Sequence, residues 1–358
     1  MRPYETGDPE LDARIHRLAE DAVAAHAVDH AHDGADMVAE LMVSALKLHR
    51  DDADRGDLKL VNSAVKEMRY SFLVFRHYRD VSKVTVFGSA RTQPDQPDYR
   101  LAADFASLMT DERGWMVVTG AGPGIMEAAN LGAGADDSFG VNIRLPFESG
   151  ANPYVHESRL INFKYFFTRK LMFMKESNAF ALFPGGFGTM DETFELLTLI
   201  QTGKSPMSPI VLVEAPGTSY WDGWLEFVTG TLMEQGMIAP DDLALFTHTS
   251  SATEAAQQVC LFYENYHSQR FVGDRLVLRV KRQPRPEQIQ QLNDEFSDIV
   301  VSGVIESIGT TDAEVSSNDY PELPRLAFRF NRRSLGRLRR LIDTLNGFPA
   351  GPGEQPSD

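Results

Sequence analysis

Residues 179–204, AFALFPGGFGTMDETFELLTLIQTGK, change character twice within ten positions. Ala179 to Phe183 is an apolar run of strand length. Pro184, Gly185, Gly186 and Gly188 break it, and beyond Thr189 the apolar residues Phe194, Leu197, Leu199 and Ile200 recur at helical spacing. A strand, a glycine turn and a helix in that order present free backbone N–H groups and the positive end of a helix dipole to an anion. Thr189 fits the N-cap of the helix, and Glu192 three residues on completes a T-x-x-E capping box. Gly185, Gly186, Gly188 and Thr189 would then contact a phosphate, with the Glu192 carboxylate one helical turn beyond, within reach of the attached ribose. The alternative for the same residues is a tight turn and a helix cap with no ligand.

The alternation continues on both sides. KVTVFGSA, WMVVTGAG, FGVNIRL and PIVLVEA are further runs of strand length, separated by segments of helical periodicity. This predicts an α/β core over residues 81–267, a Rossmann-like, doubly wound parallel sheet with ligands at the carboxyl ends of its strands. Three strands run into glycine-containing turns: Gly88-Ser89, the Gly120, Gly122, Gly124 turn, and the Pro184-Gly185-Gly186 turn. Ser89 is a candidate phosphate or ribose contact, Gly122 and Gly124 are candidate substrate contacts, and Glu127 is placed to reach ribose or base. The glycine spacing is not G-x-G-x-x-G, so a mononucleotide suits the turns better than a dinucleotide.

Residues 1–80 read as a helical extension with segments near 8–26, 35–49 and 57–78. His26, Asp29, His30, His32 and Asp33 are read as a solvated helix end and the acidic stretch 51–57 as a charged turn, without a metal at either. Residues 268–345 read as a small α+β module in the order β-α-β-β-α, and residues 346–358 as a disordered, Gly- and Pro-rich tail. Within the 358 residues, positions 268–345 carry 13 basic against 11 acidic residues, while the rest carry 22 against 40. The overall charge of −16 argues against non-specific binding to nucleic acid or anionic membranes. One cysteine, no apolar run of membrane-spanning length and no signal-peptide pattern at the N-terminus predict a cytoplasmic protein. Cys260 falls in a predicted helix over 252–266, where packing is its expected role.

Pro184-Gly185-Gly186-Phe187-Gly188-Thr189-Met190-Asp191-Glu192 resembles the PGGxGTxxE motif of the Lonely guy (LOG) family of phosphoribohydrolases. Arg169-Lys170, FGSAR (residues 87–91) and TGAGPGIMEAAN (residues 119–130) extend the resemblance over about residues 81–264. The resemblance implies catalytic roles for Arg169 and Glu192, with Lys170 beside them, and hydrolysis of a nucleotide at its N-glycosidic bond. The extra sequence at both ends is similar to that of longer bacterial relatives that cleave ordinary nucleoside 5′-monophosphates to the free base and ribose 5-phosphate. The alternatives are cytokinin riboside 5′-monophosphates as substrates, or a catalytically silent nucleotide-binding regulatory protein. At least a homodimer is implied. No metal or organic cofactor is called for: the label lysine decarboxylase, often attached to such sequences, would need pyridoxal phosphate, and Lys170 has no evident companion set for it. Met172, Phe173 and Met174 are candidates for a base pocket or, more simply, for core.

The last expectation concerns a helix over 332–345. Helical projection puts Arg332, Arg333, Arg337, Arg339 and Arg340 on one face and leucines on the other. Neighbouring acids would neutralise such a face. Alternatively, Arg332, Arg333, Arg337 and Arg340 would bind a phosphorylated regulatory nucleotide, which the likeness to alarmone-responsive relatives also suggests.

Overall fold

In the computed structural model, residues 4–25, 34–144 and 150–349 are described. The cluster from His26 to Asp33 and the tail from Ala350 onward lie outside them. The chain divides into two compact units, Met1–Arg69 and Tyr70–Asp358.

The first unit contains α1 (Pro9–Ala24), α2 (Ala35–Arg50) and most of α3 (Arg55–Phe75). Ile15 and Ala19 of α1 pack on Ala39 and Val43 of α2 as a small core. The acidic turn before α3 is a helix cap: the Asp54 carboxylate accepts from the Asp57 N–H at 2.9 Å, and the Asp57 carboxylate accepts in return from the Asp54 N–H at 3.2 Å.

The second unit is built on strands β1 (Lys83–Phe87), β2 (Met116–Thr119), β3 (Ser138–Ile143), β4 (Leu160–Phe163), β5 (Ala179–Leu182), β6 (Ile210–Val213) and β7 (Phe246–Thr249). Helices α4 (Pro97–Ser107), α5 (Ile125–Ala133), α6 (Phe166–Glu176), α7 (Phe187–Gln201), α8 (Tyr220–Phe227) and α9 (Ala252–Phe262) fall between and after them. All neighbouring strands are parallel, in the order β4-β3-β2-β1-β5-β6-β7. Val84, Val86, Val117, Ala179, Ala181 and Val211 are fully buried because helices cover both faces. Two strands were not expected from the sequence, β4 and β7, and both are sheet edges. Strand order reverses between β1 and β5, which opens a crevice at their carboxyl ends.

The remaining elements are β8 (Tyr266–Val272), β9 (Arg275–Val280), α10 (Pro286–Phe296), β10 (Glu306–Ile308), α11 (Asp312–Ser316), β11 (Arg325–Phe328) and α12 (Leu335–Asn346). The four strands form an antiparallel sheet, β10-β11-β9-β8. The expected β-α-β-β-α order therefore lacked its first strand, β8, and the short helix α11. The helix that carries Cys260 ends at Phe262 rather than 266, and Cys260 is half-buried. The sheet module is tied to the α/β core through Asn346. Its side chain accepts from Asn265 N (2.9 Å) and Tyr266 N (2.7 Å) and donates to Phe262 O (2.6 Å).

Helix α12 starts at Leu335, so Arg332 and Arg333 precede it, and Arg332 takes a left-handed φ of 60°. The arginines share no single solvated face. Arg339 is buried and pairs with Asp343 at 2.9 Å, Arg337 pairs with Asp298 at 3.0 Å, and Arg340 with Asp241 at 3.1 Å. Arg332 lies over the Phe271 ring at 4.3 Å. Helical projection assumed a helix that starts three residues earlier than the one that forms, and it could not anticipate the acidic partners.

Candidate active site

The crevice between β1 and β5 is held open by backbone hydrogen bonds between three turns. Ser89 N donates to Pro184 O at 2.9 Å, and Ile125 N donates to Ser89 O at 3.0 Å. The turns after β1, β2 and β5 are thereby fixed relative to one another. Gly124 is required for this: at φ 71° a Cβ would stand 2.3 Å from the carbonyl oxygen of Ser89. A Cβ on Gly122 would meet only the flexible end of the Met126 side chain, and neither glycine lines the cleft that results. Their place is in supporting the turns.

That cleft has a volume of about 800 Å³. Seven of the residues singled out in the sequence line it: Ser89, Arg169, Gly185, Gly186, Gly188, Thr189 and Glu192. Gly186 and Gly188 face open space, whereas a Cβ on Gly185 would lie 2.0 Å from Thr189 Oγ1. The helix begins earlier than expected. Its N-cap is Gly186, α7 starts at Phe187, and the first intrahelical bond runs from Met190 N to Gly186 O. Thr189 is therefore in the first turn, not at the cap, and the T-x-x-E pattern does not form a capping box here. A glycine N-cap has no side chain to offer, so the first-turn N–H groups of α7 stay directed at the cleft.

Glu192 follows in the second turn of α7 and is 94% removed from solvent, at 6% exposure. Its Oε2 has no hydrogen-bond partner among the described residues, and the residue lines the cleft. Burial pushes its carboxyl up to about 7, against the downward pull of Lys170 and Arg169. Lys170 Nζ stands 3.8 Å from Glu192 Oε2, but its closer partners are Glu195 at 2.5 Å and Asp191 at 2.8 Å. Burial alone would lower the Lys170 ammonium; the Asp191, Glu195 and Glu192 carboxylates more than offset that and raise it. Lys170 thus balances the carboxylates from behind rather than lining the cleft. Arg169 does line it, with Nε donating to Val141 O at 2.8 Å and the guanidinium 5.2 Å from the Phe173 ring.

Glu127 lies elsewhere. It faces Tyr99, whose hydroxyl is raised by burial and by this carboxylate, and is not among the lining residues. Met172 and Phe173 are buried core, Phe173 standing edge-on to Phe87 at 4.8 Å. The apolar lining comes instead from Phe87, Ala90, Met126, Phe166, Phe187 and Met190. Asp191 also lines the cleft, although its carboxylate is paired with Lys170. Arg91 is the other charged lining residue that the sequence did not mark as a site residue.

One group of described residues has metal-ligand geometry, Glu214, Asp222 and His248, with donor atoms within 4.8 Å of one another. Glu214 is already occupied: it accepts from Thr218 Oγ1 (2.8 Å) and Tyr220 N (2.7 Å) and pairs with His248 Nε2 (2.9 Å). It acts as a cap for α8 and lies outside the cleft. No described helix is long and apolar enough to cross a membrane.

Residues 124–259 match the family model described as possible lysine decarboxylase. The chain is similar to cytokinin riboside 5′-monophosphate phosphoribohydrolase LOG1 of Arabidopsis thaliana, at 32% identity over 91 residues, 25% of this chain and 41% of that protein. It is also similar to the probable cytokinin riboside 5′-monophosphate phosphoribohydrolase LOG6 of the same plant, at 34% over 86 residues, 24% and 41%. The chain therefore spans about two fifths of the length of these curated relatives. Among solved structures, the molybdenum cofactor carrier protein of Chlamydomonas reinhardtii aligns at 19% identity over 50% of this chain and 96% of that one, with a TM-score of 0.36. Nothing about binding or activity follows from a likeness of that size. The PGGxGTxxE motif at the cleft, the family model and the phosphoribohydrolase relatives together make this chain similar to Lonely guy family members over part of its length.

Proposed function

We propose that the chain hydrolyses the N-glycosidic bond of nucleoside 5′-monophosphates, releasing the free base and ribose 5-phosphate. The observation that carries this is Glu192: a buried carboxylate with an oxygen that accepts no hydrogen bond among the described residues, its carboxyl pushed up to about 7, beside a glycine-built helix N-terminus. The N–H groups of the first turn of α7, with Thr189 and Ser89, bind the 5′-phosphate. The ribose then lies over the first turn of α7, with C1′ towards Glu192. As the C1′–N bond breaks, its electron pair leaves with the base and positive charge develops on the ribose ring. The ionised Glu192 stabilises that charge and takes one proton of the water whose hydroxyl adds to C1′. The departing base takes up a proton in turn to leave as the neutral free base, and Glu192 is returned to its ionised form. A base with pKa near the working pH combines a useful ionised fraction with real basicity. Arg169, beside Glu192, keeps part of the carboxylate population ionised and orients it.

Met126, Phe166 and Phe187 offer apolar faces to the base, and among the described residues no Asn, Gln or His lines the cleft to read base edges. This favours ordinary nucleotides over one particular base. Phe166, Phe167, Leu171 and Phe187 are at least half exposed beside the cleft, and a second copy of the chain covering them would make the expected homo-oligomer. The test is incubation with AMP, GMP, CMP, UMP and N6-isopentenyl AMP, with released base quantified by chromatography. Release from several ordinary monophosphates supports the proposal. Release from the isopentenyl compound alone would assign cytokinin activation, and no release from any of them would leave a binding protein.

A further inference from the structure

We propose that Arg91 is the cation that clamps the substrate's 5′-phosphate. The inference rests on the reading of the cleft as a nucleotide site, and it names the residue that makes that site select phosphorylated ligands.

The charges of the cleft are balanced before any ligand enters. Asp191 and Glu192 contribute two carboxylates, with Glu195 close behind. Lys170 is taken up by all three of these acids, and Arg169 is anchored on the Val141 carbonyl. A phosphomonoester brings a further charge of about −1.5 to −2 at neutral pH. Beside two carboxylates and within a chain of net charge −16, helix N–H groups alone are a weak counterweight.

Arg91 supplies what is missing. It is exposed, and its guanidinium forms no ion pair or hydrogen bond among the described residues. Its backbone is nevertheless fixed on both sides: Arg91 N donates to Ser89 Oγ at 3.0 Å, and Gln93 Nε2 donates to Arg91 O at 2.9 Å. A second hollow of about 330 Å³ adjoins the cleft, and the two share Ser89, Arg91 and Gly185. Arg91 thus stands on the ridge between them, beside the turn at which α7 begins. From there a guanidinium can present two parallel N–H donors to phosphate oxygens while the α7 N–H groups hold the others. An unpaired arginine on a pinned loop also loses less freedom on binding than one on a mobile loop.

The test is isothermal titration of ribose 5-phosphate into the wild type, Arg91→Ala and Arg91→Lys at low and moderate salt, with melting temperatures to verify folding. The clamp predicts measurable binding by the wild type and at least a tenfold loss in Arg91→Ala. Arg91→Lys should fall between, because an ammonium keeps the charge and loses the paired donors, and the alanine variant should show the shallower salt dependence. Equal affinity of wild type and Arg91→Ala, or no binding by the wild type, would overturn the proposal. AMP hydrolysis measured on the same proteins separates the two claims. Arg91-dependent binding without base release removes the hydrolase and keeps the clamp; base release with an unaffected Arg91→Ala removes the clamp and keeps the hydrolase.

Discussion

Replacing Glu192 by glutamine should stabilise the fold above pH 7 and leave it nearly unchanged at pH 4. The carboxyl titrates at about 7 in the folded chain and at the ordinary 4.5 when exposed. A raised folded pKa means that the native state holds the proton more tightly. Below pH 4.5 both states are protonated and the group costs nothing. Between 4.5 and 7 the unfolded state ionises first, so stability declines with rising pH, and above 7 the loss levels off. At 1.36 kcal/mol per pKa unit the plateau is about 3 kcal/mol. Glutamine has the same shape and no charge to desolvate, so it avoids that loss, while Lys170 keeps Asp191 and Glu195 as partners. Urea denaturation of both proteins at pH 4.5 and pH 8.5 gives the measurement, because a shift in midpoint at constant slope reports stability alone. The variant's advantage should grow by about 3 kcal/mol between the two pH values. A difference that does not change with pH would refute the claim that this carboxylate is held ionised at a cost, and with it the reason for its raised pKa.

Two further outcomes are expected. The kcat/KM for a monophosphate should fall about tenfold per pH unit below 7 and be flat above it, because only the ionised Glu192 serves as base; a profile with its break near 4.5 would detach activity from this residue. In the C-terminal module, Glu314 is fully buried between Arg279 (2.9 Å) and Arg325 (3.0 Å), so Glu314→Gln should cost about 3 kcal/mol by stranding buried guanidinium charge. Its denaturation midpoint should drop while kcat/KM on a monophosphate stays the same, and a neutral effect on stability would show that Asp319 alone can balance the pair.

What the sequence made legible follows from burial on two faces. Strands β1, β2, β3, β5 and β6 are covered on both sides, so they read as apolar runs and were found as such. The edge strand β4 is LINF, with Asn162 exposed, and β7 is FTHT, with His248 exposed. With one face open, neither carries a run long enough to register. The same holds for the cleft. The glycines, Thr189 and Glu192 were visible because their types and spacing are themselves the signal, even though the helix cap shifted from Thr189 to Gly186, and Arg169 was visible through the resemblance. Glu127 was placed by its distance along the chain from Gly124 and Lys170 by the resemblance, and packing turned the first to Tyr99 and the second to a carboxylate cluster. Arg91 was hidden for the opposite reason: its interest lies in lacking a partner, which no single sequence displays. The arginines near α12 failed as one face because a left-handed Arg332 ends the projection and acids from other elements claim Arg337 and Arg340.

The central claim is that Glu192 acts on a nucleoside 5′-monophosphate bound at the α7 N-terminus. Its most direct test is the turnover of the wild type and Glu192→Gln on the best monophosphate, alongside the nucleotide's dissociation constant for each. Glu192→Gln should lose turnover by roughly 10²-fold or more, the scale expected when a general base and the charge facing a cationic transition state are both removed, with binding within a few-fold of wild type. Near wild-type hydrolysis by Glu192→Gln would contradict that claim.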